Sequence, residues 1–168
     1  VKGWATARLY TETGLRPFGD VDLCVRADQH ARAQSVLKEM EACVLPVDLH
    51  AGFPKPCAAR WEDLYERAEC AELDGVPVRF PCAEDHLRLL AHHLWQHGGW
   101  RPLWLCDVAA AVETRTPGFD WSLCLTTQRA SQSVLTALGL AHQLLGAEIH
   151  DTPARERAAR LPRWLVQS

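Results

Sequence analysis

The sequence predicts an α+β fold: a first half that builds a small mixed β-sheet with helices, then a second half that is all helix. Three observations carry this. Val21, Leu23 and Val25 alternate with Asp22 and Cys24, the period-2 pattern of a strand. A second short β-like run, Val76 to Phe80, follows the turn pair Asp74-Gly75. From Pro81 on, apolar residues recur at helical spacing to the end of the chain. The boundary is therefore set near residue 80, giving one lobe over 1–80 and a helical lobe over 81–168 packing on it.

Taken in order, Trp4 to Glu12 reads as a helix with Gly14 placed to end it. The strand around Val21–Val25 follows. Asp28 is positioned to cap a helix running through Cys43, with Ala33, Val36, Leu37, Met40 and Val44 as its apolar stripe. Val44 to His50 is β-like, and Pro46 within it argues for an edge position or a late strand start. Trp61 to Cys70 is expected to be helical. Glu84 to His97 carries Leu87, Leu90, Ala91, Leu94 and Trp95 on one stripe, and Gly98-Gly99 stops it. Pro102 suits the first position of the next helix, reaching about Val112. Asp120 is expected to cap another helix, Ser131 to Leu145 forms another closed by Gly146, and Pro153 to Leu165 another with arginines exposed.

Bulk composition narrows the function. With 48% hydrophobic and 23% charged residues, the 168-residue chain has enough apolar content for a packed core. The net charge of −3, without any block of Lys and Arg, speaks against duplex nucleic acid as a partner. No apolar run is long enough to cross a membrane. The seven cysteines are scattered singly, with no CxxC pair, which favours buried free thiols over a zinc or disulfide framework. No stretch reads as a secretory leader, so the cytoplasm is the expected location. The chain begins at Val1 on a Lys-Gly pair, and the expectation is that something upstream was removed or not included.

The candidate chemistry lies in the carboxylates. Residues i and i+2 of a strand share a side, so Asp20 and Asp22 stand next to one another. Two bare carboxylates that close repel, unless a cation neutralises both. A hard divalent ion with oxygen ligands does this well. The same pattern is also what the solvent face of an acidic edge strand looks like. Asp48, flanked by Val47 and Leu49, can present a third carboxylate if its strand pairs beside the first, and His50 faces the same way. Gly3 allows backbone N–H groups to approach a phosphate closely.

The order Lys2-Gly3, helix, GLRPFGDVDLCV, helix, VDLH resembles the polymerase-β-type nucleotidyltransferase superfamily. Within it, the chain is most similar to the uncharacterised bacterial nucleotidyltransferase family proteins. The resemblance spans about residues 2 to 121. It implies an enzyme that moves a nucleoside monophosphate, with AMP the expected one, from an NTP to a hydroxyl of a small molecule or protein. Two Mg²⁺ ions would be held by Asp20, Asp22 and Asp48. Gly3 would lie against the triphosphate with Lys2 as a phosphate contact. Arg16 would either neutralise phosphate or brace its turn by pairing with a carboxylate. The chain departs from the superfamily in carrying Trp4 where a Ser or Gly follows the glycine, and in a short stretch between Asp22 and Asp48.

His86, His92, His93 and His97 share one expected helix, with His93 and His97 on one face at i, i+4. Either these two line the acceptor side, or they bond locally where the halves meet. A zinc centre of His93, His97 and Asp107 is a further reading. Trp95, Trp100 and Trp104 are expected to be core rather than a base-stacking platform. Against the transferase stands the alternative of a catalytically weak or inactive binding module, an antitoxin-like or peptide-modification partner.

Overall fold

A computed structural model describes residues 2–12, 14–40, 46–53, 60–158, 160–162 and 165–166. The fold class is α+β, with strands confined to the first half. The described residues up to Pro81 form one compact unit, and those from Cys82 on form another.

In the first unit, helix α1 (Trp4–Ala7) precedes strand β1 (Val21–Val25). A 3-10 turn at Ala27–Gln29 leads into α2 (His30–Glu39), and β2 (Val47–Ala51) follows. The unit closes with α3 (Trp61–Arg67), β3 (Glu69–Leu73) and β4 (Val76–Phe80). The strands make two separate pairs: β1 with β2 in parallel, β3 with β4 antiparallel. The β3–β4 hairpin turns on Asp74 and Gly75, with φ of 49° and 80°. Two successive positive φ angles match the twist of a tight hairpin, which is why an Asp-Gly pair sits there.

Four expected elements differ in extent. The first helix is a single turn rather than Trp4 to Glu12; beyond Ala7, Leu9 and Tyr10 bond three residues back, to Thr6 and Ala7. Only Ala5 and Thr6 of α1 are buried, and a helix with so little packing has nothing to extend it. Asp28 does not cap α2: its carboxylate takes two bonds from Arg26, at 3.0 and 2.6 Å. A charge-assisted fork outcompetes a neutral cap. On α2, Ala33 and Leu37 are half-buried while Val36 and Met40 are exposed, and the helix ends at Glu39. Residues 41–45, including Cys43 and Val44, lie outside the described residues, as does Cys57. Helix α3 stops at Arg67 because Glu69–Leu73 is drawn into the hairpin, where pairing with β4 overrides local helical preference.

The second unit is helical: α4 (Ala83–Gln96), α5 (Pro102–Glu113), α6 (Trp121–Cys124), α7 (Gln128–Leu145) and α8 (Arg155–Ala158). Pro102 opens α5 as expected. Asp120 caps α6 by accepting from the N–H of Ser122 and Leu123, and Thr127 caps α7 by accepting from Ala130 N–H. Leu87, Leu94, Val108, Val112, Val134 and Leu138 are fully buried where α4, α5 and α7 pack together. The expected tail helix from Pro153 to Leu165 is shorter, Arg155–Ala158. Ala158 and Leu161 sit so close to Gly139 of α7 that a Cβ there would lie 3.1 Å from Ala158 Cα. Trp104 is buried, but Trp100 is 68% exposed, so it is not core. Among the described cysteines all are free; Cys124 is buried and Cys70 is exposed. No described helix is long and apolar enough to cross a membrane.

Candidate active site

The parallel register of β1 and β2 builds the site. Asp22 pairs with Asp48 and Cys24 with His50, so the four side chains rise on one face of the sheet. The other face carries Val21, Leu23 and Val25 beside Val47 and Leu49. Alternation therefore sorts acids and imidazole to one side and aliphatics to the other.

Asp22 is the centre of the constellation. It is only 5% exposed, against 57% for Asp48 and 36% for His50. Lys2 Nζ lies 3.1 Å from Asp22 Oδ1, and His50 Nε2 lies 3.2 Å from the same oxygen. His50 Nε2 is also 3.3 Å from Asp48 Oδ2. An ionised carboxylate only accepts, so His50 Nε2 carries the proton and donates. Burial works to raise the Asp22 pKa, but the bond from His50 and the charge of Lys2 outweigh it and hold the carboxyl below its ordinary value. The acid is thus kept ionised in a place that desolvation disfavours.

Gly3 supplies backbone geometry. Its φ is 56°, and a Cβ there would stand 3.0 Å from the backbone oxygen of Asp20. That close approach lets Lys2 lie over β1, and only glycine permits it. Arg16 Nη1 donates to the backbone oxygen of Pro17 at 2.6 Å, within its own turn.

Asp20 sits differently. It precedes β1, its side chain is exposed, and it does not belong to the group that Asp22, Asp48 and His50 form. The parallel ladder begins with Val21 N–H bonding Pro46 O at 2.8 Å. Pro46 has no N–H to carry the ladder one step earlier, so Asp20 is left outside the strand.

The donor atoms of Asp22, Asp48 and His50 all lie within 4.8 Å of one another. Two carboxylates and one imidazole fit a divalent cation: the oxygens suit Mg²⁺ or Mn²⁺, and the imidazole is the softer ligand of the three. Lys2 offsets part of the negative charge and His50 bonds to both carboxylates, contacts that a bound metal would replace.

His93 and His97 belong to the second unit. Their ring centroids are 4.6 Å apart, and both rings lie against Trp104, at 4.7 and 5.1 Å. Among the described residues, His93, His97 and Asp107 do not bring three donor atoms within 4.8 Å of one another, which removes support from the zinc reading. The two rings meet edge to face and lie against an aromatic neighbour instead.

Sequence reasoning missed the hollow beside Asp22, about 130 Å³ within the first unit, with Phe53, Trp61, Tyr65, Arg79 and Phe80 in its lining. The spacing of Trp61 and Tyr65, one helical turn apart, was the available signal.

A family model described as uncharacterised nucleotidyltransferase matches residues 1–44 and 41–146. No curated protein and no solved structure matches the chain.

Proposed function

The chain belongs to the uncharacterised nucleotidyltransferase family, and from that premise we propose that it transfers a nucleoside monophosphate, AMP in the first instance, from an NTP to a hydroxyl group. The first unit carries the chemistry. The observation that supports this reading is the convergence of Asp22, Asp48 and His50 across the β1–β2 register, with Lys2 alongside.

Asp22 and Asp48 would hold one divalent ion, with His50 as a nitrogen ligand or as the donor that orients Asp22. Asp20, exposed just ahead of the strand, would join Asp22 in holding a second. The metal, when bound, neutralises charge on the phosphates and on the attacking and leaving oxygens. Lys2 leaves Asp22 to meet a phosphate, and Gly3 keeps the backbone beside it clear. The exposed Asp48 carboxylate takes the proton of the acceptor hydroxyl. The acceptor oxygen bonds to the α-phosphorus, and the bond from that phosphorus to pyrophosphate breaks. Arg16, tied to Pro17, braces the turn that delivers Asp20.

The test is nucleotide binding in the presence of Mn²⁺, measured by equilibrium dialysis with each NTP, for the wild-type chain and for Asp20→Asn/Asp22→Asn. Metal-dependent binding that disappears in the double variant supports the reading. Equal binding by the double variant removes the carboxylates from the mechanism and favours a binding module that kept the fold alone.

A further inference from the structure

We propose that the hollow beside Asp22 receives the ring-bearing part of the acceptor, a flat apolar alcohol or phenol without positive charge. This rests on the nucleotidyl-transfer reading and names its second substrate class.

Asp22 belongs both to the charged constellation and to the lining of the hollow, so a hydroxyl at the mouth would reach the carboxylates while its ring lies inside. The walls are aromatic and joined. Phe53 and Trp61 have ring centroids 5.5 Å apart, and Trp61 stacks on Tyr65 at 6.2 Å with an interplanar angle of 25°. Near-parallel rings one helical turn apart on α3 give the hollow an aromatic wall, which a ring-bearing guest can meet edge to face. Leu64, between them in sequence and buried, backs the wall with carbon. The lining is mostly apolar with few polar groups, as small-molecule sites are.

Charge selects further. The cation on the lining is Arg79, whose guanidinium lies 4.5 Å from the Tyr65 ring centroid. Already stacked on an aromatic face, it faces the ionised Asp22 on the same lining, so a guest of either charge meets a like charge and a neutral one is favoured. A triphosphate finds no place among these carbons. The edge of a nucleobase needs both donors and acceptors, and the lining side chains offer mainly rings and aliphatic groups.

The experiment measures binding of 2-naphthol by equilibrium dialysis, with Mn²⁺ and ATP binding measured in parallel on the same proteins. Wild type should bind 2-naphthol saturably. Tyr65→Ala, at a half-exposed position, should weaken this roughly tenfold, and Trp61→Phe less, with Mn²⁺–ATP binding unchanged. An excess of adenosine should leave 2-naphthol in place, and 2-naphthylmethylamine, a cation at neutral pH, should bind more weakly. Displacement by adenosine, equal binding by Tyr65→Ala and Trp61→Phe, or no saturable binding by wild type while Mn²⁺–ATP still binds would overturn the acceptor assignment alone. Loss of Mn²⁺–ATP binding in wild type would remove the transferase reading, and the acceptor role with it.

Discussion

Lys2 Nζ and His50 Nε2 meet on the same oxygen of Asp22, at 3.1 and 3.2 Å, one arriving from two residues ahead of α1 and the other from β2. A buried acid thereby receives an ion pair from Lys2 and a hydrogen bond from His50, from elements far apart in sequence. Because Lys2 occupies the acid that a metal would use, Lys2→Met should tighten Mn²⁺ binding in the absence of nucleotide. A partly exposed ion pair is weak, so the gain should be no more than about fivefold. The same variant should weaken ATP binding in the presence of Mn²⁺. Isothermal titration with each ligand separates the two effects, and a drop in both would show that Lys2 serves to hold the fold.

Asp48 is the exposed acid and contributes little to packing. Asp48→Asn should therefore leave thermal unfolding nearly unchanged while lowering the transfer rate by about two orders of magnitude or more, the usual cost of a lost general base. Release of pyrophosphate under single-turnover conditions is the appropriate readout. An Asn variant as active as wild type would assign proton removal elsewhere.

Gly3→Ala places a Cβ 3.0 Å from the backbone oxygen of Asp20 at a φ of 56°. Strain of this kind costs about 1–3 kcal/mol. The variant should unfold at lower urea concentration, and the Lys2–Asp22 pair should loosen with it. An unchanged urea midpoint would mean that the α1 entry has another conformation available.

The buried thiols give a test independent of nucleotide. Burial first of all pushes the Cys124 thiol up to about 12, and does the same for the half-buried Cys82. Cys82 also donates to Asp85 Oδ2 at 3.3 Å, in the second unit. A thiol raised from 9.0 to about 12 on folding leaves the unfolded chain free to ionise first. Its stability contribution is complete below pH 9 and is lost as pH rises from there toward 12, by about 1.4 kcal/mol per unit for Cys124. At pH 8.5, iodoacetamide should label the exposed Cys70 and spare Cys124, as read by peptide mass spectrometry. Labelling of Cys124 at the rate of Cys70 would contradict the packing around α6.

Period-2 alternation placed β1 correctly because an extended backbone puts Val21, Leu23 and Val25 on one face whatever they pack against. Pro46 marked the late start of β2 for an equally local reason, its missing N–H. The helical stripe of α4, the Pro102 start of α5, the Asp120 cap and the Gly146 stop are likewise properties of a few neighbouring residues. The order of the Lys-Gly, Asp-x-Asp and Val-Asp-Leu-His segments was enough to place the family. Tertiary structure alone decided the rest, because those facts depend on pairing across long stretches of chain. The register Asp22 with Asp48 is one, the reach of Lys2 to Asp22 another, and the exclusion of Asp20 from the ladder a third. Glu69–Leu73 became a strand only because a partner strand was available, and Trp61 and Tyr65 became a pocket wall only once Phe53 and Asp22 lay beside them. Local pattern reports which face a residue takes on its own element; what shares that face from another element is a matter of where the two elements meet.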